Sequence, residues 1–141
     1  MDRGIYILII KCKSKTYINH PKFDKTGFLP GYYFYIGSAQ KNLSKRIQRH
    51  YKKQKPLRWH IDYISTHPEF EITSHFTFEY PREFECKLTN FLLSIDFISF
   101  PAKKFGSSDC NICPSHLLFC PEENLELAIN KIKNEFKFIN N

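Results

Sequence analysis

The distribution of apolar and polar residues along the chain predicts a set of short strands. A continuous apolar run over 4–11 (GIYILIIK), rich in β-branched residues, is typical of a buried strand. The aromatic run over 32–37 (YYFYIG) indicates a second strand. Alternation of apolar and polar residues over 69–80 indicates a half-exposed strand. The segment 115–119 (SHLLF) is expected to form a short last strand.

Helical spacing is found between and after these strands. A helix is expected over about 43–53, with Asn42 as its N-cap, and further helices over 58–66 and 82–95. The C-terminal segment begins a helix at Pro121 and places its apolar residues on a single stripe.

This order of elements predicts an α/β (α+β) fold, in which a small, central, mainly antiparallel sheet is flanked by helices. A chain of 141 residues is the size of one domain. We assign residues 1–121 to that domain and expect 122–141 to be an amphipathic helix packed on it. Residues 12–31 are polar and broken by Pro and Gly, which predicts an insertion between the first two strands.

The first apolar run also bears on the compartment. It is too short to span a membrane, and it lacks the basic start and cleavage region of a signal peptide. We therefore expect a cytoplasmic protein with no membrane partner. Its five cysteines are then expected to be thiols or metal ligands rather than disulfides.

Positive charge is concentrated in one part of the chain. The formal net charge is +7, and no Asp or Glu occurs from Lys25 to Ile61. Clustered charge of one sign repels itself, which favours contact with a polyanion over the alternative of a solvated basic face. The predicted phosphate contacts are Lys41, Lys45, Arg49, Lys52, Lys53 and Arg58. In the WHID stretch that follows, Trp59 is expected in the core, whereas His60 and Asp62 are either substrate contacts or partners in structural hydrogen bonds.

Three side chains stand out by their position on helices. Arg46 and His50, four residues apart, lie together at the edge of an apolar arc, where a guanidinium can bind a phosphate with two hydrogen bonds. Glu85 projects into the apolar face of the helix over 82–95, so its carboxylate needs a cation, a metal ion or hydrogen bonds. The alternative for His50 is a solvated histidine on the helix surface. The alternative for Glu85 is a carboxylate that pairs with an arginine or complements the dipole of its helix.

Several of these stretches together resemble a known family. The tripeptides GIY (4–6) and YIG (35–37), the helix with Arg46 and His50, and the helix-borne Glu85 are similar to the GIY-YIG nuclease superfamily. Two further stretches, LRWHIDYI (57–64) and FGSSDCNICPSHLLF (105–119), resemble its compact branch known as domain of unknown function 123, which occurs alone or fused to DNA-repair glycosylases. The resemblance runs from Gly4 to about Pro121. The 28 residues between Tyr6 and Tyr35 are more than most family members have there.

The resemblance implies a fold with GIY and YIG on adjacent strands and a metal-dependent endonuclease that acts in DNA repair or processing. It further implies that Glu85 holds one Mg²⁺ or Mn²⁺ ion, that Tyr6 accepts a proton from water, and that Tyr35 hydrogen-bonds nearby. Arg46 would stabilise the phosphoryl group and His50 would assist. The alternative is a catalytically silent nucleic-acid-binding module or repair adaptor. DNA is the expected partner, and RNA is left open as an alternative substrate. A DNA-repair protein is a further candidate partner. The chain is taken to be a monomer.

The last motif contains a possible zinc site. Thiolate and imidazole are suitable zinc ligands, but four of them within eleven residues make a cramped site. Buried cysteines that pack as small apolar side chains are the favoured interpretation, so no stoichiometric zinc is expected. The residues concerned are Cys110, Cys113, His116 and Cys120.

Overall fold

The computed structural model describes residues 2–106 and 112–136, so that Cys110, one of the possible zinc ligands, lies outside the described residues. In chain order the elements are β1 (Gly4–Cys12), β2 (Gly31–Ala39), α1 (Leu43–Tyr51), α2 (Asp62–Ser65), β3 (Phe70–Phe78), α3 (Phe84–Leu93), β4 (Leu117–Cys120), a 3₁₀ turn (Glu122–Asn124) and α4 (Leu125–Glu135). The strands form one sheet in the order β3-β1-β2-β4, and each neighbouring pair is antiparallel. The predicted α+β fold is therefore confirmed.

The sheet is covered by apolar side chains on both faces, which explains the continuous apolar run of β1. Tyr6 and Leu8 join a core that includes Ile47 of α1. Ile5 and Ile7 point to the opposite face, where α3 and α4 pack. Each fully buried aliphatic side chain of this kind contributes about 1.5–3 kcal/mol to folding.

The glycines of the two tripeptides make close backbone approaches. Gly4 has φ of +151°, and a Cβ atom there would overlap the carbonyl oxygen of Phe78. Tyr6 pairs with Gly37 across β1 and β2. A Cβ atom on Gly37 would lie 2.5 Å from the phenol oxygen of Tyr6. The missing side chain at Gly37 therefore makes the space that the Tyr6 ring occupies.

The segment between β1 and β2 is irregular and adds to the core. A single bridge joins Thr16 and Phe28 within it. Ile18, Phe23 and Phe28 from this segment are buried in the same core as Tyr6. The insertion is thus anchored by its few apolar residues, although most of its residues are polar.

Two details differ from the expectations. Trp59 is 37% exposed rather than part of the core. Asn42 adopts a left-handed conformation with φ of +53° and makes no side-chain cap of α1. Asp2 caps the helix instead, because its carboxylate accepts hydrogen bonds from the backbone N–H and the hydroxyl of Ser44 at 2.9 and 2.7 Å. A cap supplied from 42 residues away leaves no local signal in the sequence.

The C-terminal helix packs on the sheet face that carries α3. Ala128 and Ile132 are fully buried there, and Leu125 and Ile129 are partly buried beside them. Across the described ranges, every helix falls short of the length and apolarity required to cross a bilayer.

Candidate active site

Two tyrosines and a histidine form the centre of the site. The phenol oxygen of Tyr6 lies 2.8 Å from Nε2 of His50. The ring of Tyr35 lies 6.5 Å from that of Tyr6 and 6.1 Å from that of His50, between centroids. His50 is fully buried, so the alternative of a solvated helix histidine is wrong.

The burial of His50 determines its protonation. Burial, together with the positive charge of Lys55, lowers the pKa of His50 to about 3, so the ring is neutral at ordinary pH. Its Nδ1 atom has no hydrogen-bond partner among the described residues. A buried N–H without an acceptor is costly, which favours the tautomer with the proton on Nε2. In that tautomer Nε2 donates its hydrogen bond to the oxygen of Tyr6.

The two tyrosines are held as neutral phenols. Burial raises the pKa of Tyr6 well above its usual value, and Tyr35 and Glu85 add to the effect, while the charge and hydrogen bond of Arg46 oppose it. Burial and the charge of Glu85 likewise raise the pKa of Tyr35. Tyr6 can therefore lose its proton only if further positive charge is brought to the site.

Arg46 is fixed on two sides and leaves part of its guanidinium available. Its Nη1 donates to the backbone oxygen of Ser38 at 2.9 Å, just after the YIG stretch in β2. Its guanidinium carbon lies 5.0 Å from the centre of the Trp59 ring, in a cation–π contact. Because a guanidinium has five N–H donors, donors remain for a phosphate.

Glu85 reaches the same place from the other side of the sheet. It lies in the first turn of α3 and hydrogen-bonds to Ser38, close to the charges of Arg46 and Arg82. Its Oε1 lies 3.2 Å from Nδ1 of His116, and its side chain is 20% exposed. Burial raises the pKa of Glu85, and the hydrogen bond and the two arginines oppose that shift.

The topology explains how residues from both faces meet. β4 pairs only with the part of β2 that precedes the YIG glycine, over Tyr32–Tyr35. The end of β2 near Ser38 therefore has no neighbouring strand on that side within the described part of the chain. Arg46 from α1 and Glu85 from α3 both contact Ser38 at this end. The structure thus brings together the predicted catalytic residues Tyr6, Tyr35, Arg46, His50 and Glu85.

The predicted phosphate contacts divide into two groups. Exposed side chains on and beside α1 are those of Lys41, Lys45, Lys52 and Arg58. Lys53 is exposed as well, but its ammonium donates to the backbone oxygens of His67 and Phe70 at 3.0 and 2.6 Å. Arg49 is also engaged, because both of its terminal nitrogens lie 2.9 Å from the two carboxylate oxygens of Asp62.

His60 and Asp62 of the WHID stretch have structural partners. Asp62 is fully buried and also accepts hydrogen bonds from the backbone N–H groups of Arg58 and Trp59. His60 accepts a hydrogen bond from the backbone N–H of Gly106 at 3.0 Å. These contacts favour the structural alternative for His60. Trp59 is held between Arg46 and Arg49, whose guanidinium carbon lies 4.4 Å from the ring centre.

Asp62 predicts a dependence of stability on pH. Burial alone raises the pKa of this carboxyl group, but the hydrogen bonds from Arg49, Trp59 and Arg58 outweigh burial and lower it below its usual value. The stabilisation is present above the unfolded-state pKa of ~3.9 and is lost as the pH falls through the lower folded-state pKa. Asp62→Asn should cost about 2–3 kcal/mol at neutral pH, less than a fully buried pair would, because Arg49 is 22% exposed.

Urea denaturation of both proteins at several pH values would test this prediction. The free energy of unfolding of the wild type should fall on acidification below pH ~4, and the loss should be smaller for Asp62→Asn. Parallel curves for the two proteins would contradict the assignment of this acid sensitivity to Asp62.

A cluster of sulfur and nitrogen ligands adjoins Glu85. The Sγ atoms of Cys86 and Cys113 lie 2.8 Å apart, and Nε2 of His116 lies 3.0 Å from Cys113 and 3.9 Å from Cys86. Sequence reasoning included Cys113 and His116 but missed Cys86, which is 27 residues before Cys113 on another element. Cys120 is not in this cluster; it is buried in the core beneath α3 and α4. The only signal for Cys86 was its position next to Glu85.

Comparison with known proteins places most of the chain in one family. The profile of the family described as domain of unknown function DUF123 matches residues 5–138. No curated protein and no solved structure matches the chain.

Proposed function

The chain belongs to the DUF123 family, and from the geometry of its site we propose that it is a metal-dependent endonuclease that hydrolyses phosphodiester bonds in DNA. The observation that carries this proposal is the meeting of Arg46 and Glu85 at Ser38, next to the Tyr6–His50 pair. Three groups thus lie near one end of β2: the guanidinium of Arg46, which can bind a phosphate, the carboxylate of Glu85 and the phenol of Tyr6. Fold resemblance alone does not imply activity, whereas these residues supply groups that phosphodiester hydrolysis requires.

The surroundings of Glu85 fit a hard divalent cation. The carboxylate is partly exposed, so one side of it can reach a hydrated ion. Burial disfavours its negative charge, an effect that a bound cation would offset. Mg²⁺ and Mn²⁺ prefer oxygen ligands, and Mg²⁺ retains several waters, so a single protein carboxylate suffices. When bound, such an ion would supply Lewis acidity and positive charge beside the phosphate.

The protein side chains at the site then have distinct roles. Arg46 donates its remaining N–H groups to a phosphate oxygen and is held in orientation by Ser38 and Trp59. His50, neutral and buried, donates to Tyr6 and so stabilises the phenolate form of that side chain. With added positive charge at the site, Tyr6 would lose its phenol proton to solvent, and the phenolate would then accept a proton from the attacking water. Tyr35 lines the site beside it.

The exposed basic residues support DNA as the substrate. Lys45 lies on α1, Lys41 two residues before the helix and Lys52 directly after it, and all three side chains are exposed. Arg46 lies on the same helix, so a backbone that contacts these lysines is led towards the site. Sequence-independent phosphate contacts of this kind dominate affinity for nucleic acids. Arg49 and Lys53 are left out of this surface because Asp62 already pairs with the charge of Arg49 and the Lys53 ammonium already donates to two backbone oxygens.

Incubation of the purified protein with nicked, branched, single-stranded and duplex DNA, with matched RNA controls, tests the proposal. We expect cleavage of at least one DNA substrate in Mg²⁺ or Mn²⁺ and none in EDTA. DNA binding without cleavage of any substrate in either metal ion would instead support the silent nucleic-acid-binding module. Absence of both binding and cleavage at low salt would contradict both functions.

A further inference from the structure

We propose that Cys86, Cys113 and His116 form a second metal site, which binds one zinc ion independently of the divalent ion assigned to Glu85. The three ligand atoms come from α3 and from the segment that leads into β4, and all lie within 4.8 Å of one another. This proposal does not depend on nuclease activity, because it follows from the ligand geometry alone.

The sulfur contact is too short for two ordinary thiols. Carbon atoms, which are smaller than sulfur, pack best at ~3.5–4.0 Å, whereas the two Sγ atoms lie 2.8 Å apart. A tetrahedral zinc ion with Zn–S bonds of ~2.3 Å holds two sulfur atoms ~3.8 Å apart. Binding therefore requires the sulfur atoms to separate by about 1 Å, which rotation of the half-buried Cys86 side chain can supply.

The surroundings of His116 match those of a metal ligand. Its Nε2 atom faces the two sulfur atoms, and its Nδ1 atom lies 3.2 Å from Oε1 of Glu85. Histidine ligands of metal ions almost always donate their other ring N–H to a carboxylate, a carbonyl or water. Glu85 is thus placed to orient His116, and a zinc ion would in turn fix the His116 tautomer that donates to Glu85.

The donor set selects the ion. Two thiolates and an imidazole are soft or borderline ligands, which favour zinc over Mg²⁺ or Mn²⁺. Binding releases the two thiol protons to solvent, so the ion and the two thiolates together carry no net charge. A neutral assembly suits this location, since Cys113 and His116 are both buried. The spacing over 110–120 favoured packed thiols, because Cys86 belongs to another element and lies 27 residues from Cys113 along the chain.

Elemental analysis of the purified protein tests the site. We expect about one zinc per chain in the wild type, lost in Cys86→Ser and in Cys113→Ser. The control is Cys12→Ser, because the Cys12 thiol is buried elsewhere and hydrogen-bonds to the Ser14 oxygen at 3.1 Å, a contact that a hydroxyl can keep. Zinc that persists in both ligand variants, or a reduced wild type without zinc affinity, would overturn the proposal.

A spectroscopic measurement on the wild type covers the case in which the variants fail to fold. Cobalt added to the reduced, metal-free protein should give thiolate-to-cobalt absorption, and one equivalent of zinc should abolish it. Alkylation read for each cysteine by mass spectrometry should be slowed by zinc more at Cys86 and Cys113 than at Cys12. A reduced protein that shows no cobalt absorption, or a Cys86–Cys113 disulfide that forms in the presence of zinc, would contradict the site. None of these measurements uses DNA, so their outcome is independent of the nuclease proposal.

Discussion

Glu85→Gln should abolish DNA cleavage and leave the affinity for DNA nearly unchanged. Glutamine keeps the shape and the hydrogen-bonding oxygen that can face His116, but it removes the negative charge that would hold the cation. Loss of one preorganised electrostatic group typically costs about 10²–10³ in rate, and loss of the cation should cost at least as much. Single-turnover cleavage in Mg²⁺ and fluorescence anisotropy in EDTA measure the two quantities separately.

A neighbouring glutamate provides the matched control. Glu83 immediately precedes α3 and is exposed, so Glu83→Gln removes the same charge two residues away. We expect normal cleavage from that variant and a similar melting temperature for all three proteins. A Glu85→Gln protein that melts at a lower temperature, yet cleaves normally while folded, would falsify the assignment of Glu85 as the cation ligand.

The contact with His116 offers Glu85 a second way to affect activity, which His116→Gln separates from the first. This substitution removes the proposed zinc ligand but leaves the carboxylate of Glu85 and its hydrogen bond to Ser38 in place. If Glu85 acts directly, His116→Gln should retain part of the cleavage activity while losing zinc. Equal and complete loss in both variants, with zinc absent from both, would show that the carboxylate acts through His116.

The elements of the fold were predictable because their signals are local. The apolar run of β1, the aromatic run of β2 and the period of α1 each occupy a few consecutive residues, and the strands formed where expected. The pairing of β1 with β2 was predicted only through the resemblance, because it joins distant segments, and the register that places Tyr6 opposite Gly37 was not predicted. The glycine itself explains the motif once the strands are paired, since it admits the Tyr6 ring.

The features that sequence reasoning missed all depend on contacts between distant segments. Nothing in the charge pattern distinguishes Arg49, which pairs with Asp62, from Lys45, which is exposed. Composition placed Trp59 in the core, yet two guanidinium groups cover its ring instead. Cys86 joins Cys113 only because α3 packs beside the segment before β4. Residue type and spacing identify candidates for a site, but the tertiary structure decides which of them are already engaged.

Lys45→Glu combined with Lys52→Glu should weaken DNA binding steeply and for all sequences alike. Both side chains are exposed; Lys45 lies on α1 next to Arg46, and Lys52 directly follows the last residue of that helix. Each phosphate contact lowers log K, the logarithm of the association constant, by about 0.9 for each tenfold rise in salt. Loss of two such contacts should therefore reduce the affinity roughly 10²-fold at ~50 mM salt, where the electrostatic contribution is large. The slope of log K against log salt should therefore become less steep by about 2. Anisotropy titrations over a range of salt concentrations measure both quantities.

The control for this double variant lies on the opposite face of the sheet. Lys131 and Lys133 are exposed on α4, which packs with α3, whereas α1 packs on the other side. Charge reversal at both of these lysines lowers the formal net charge of +7 by the same amount as the α1 variant does. If binding follows net charge alone, the two double variants should lose affinity equally. If α1 is the DNA-contacting surface, the α4 variant should keep most of the affinity and the wild-type salt slope. Equal losses, or binding by the wild type that does not change with salt, would contradict a specific nucleic-acid surface on α1.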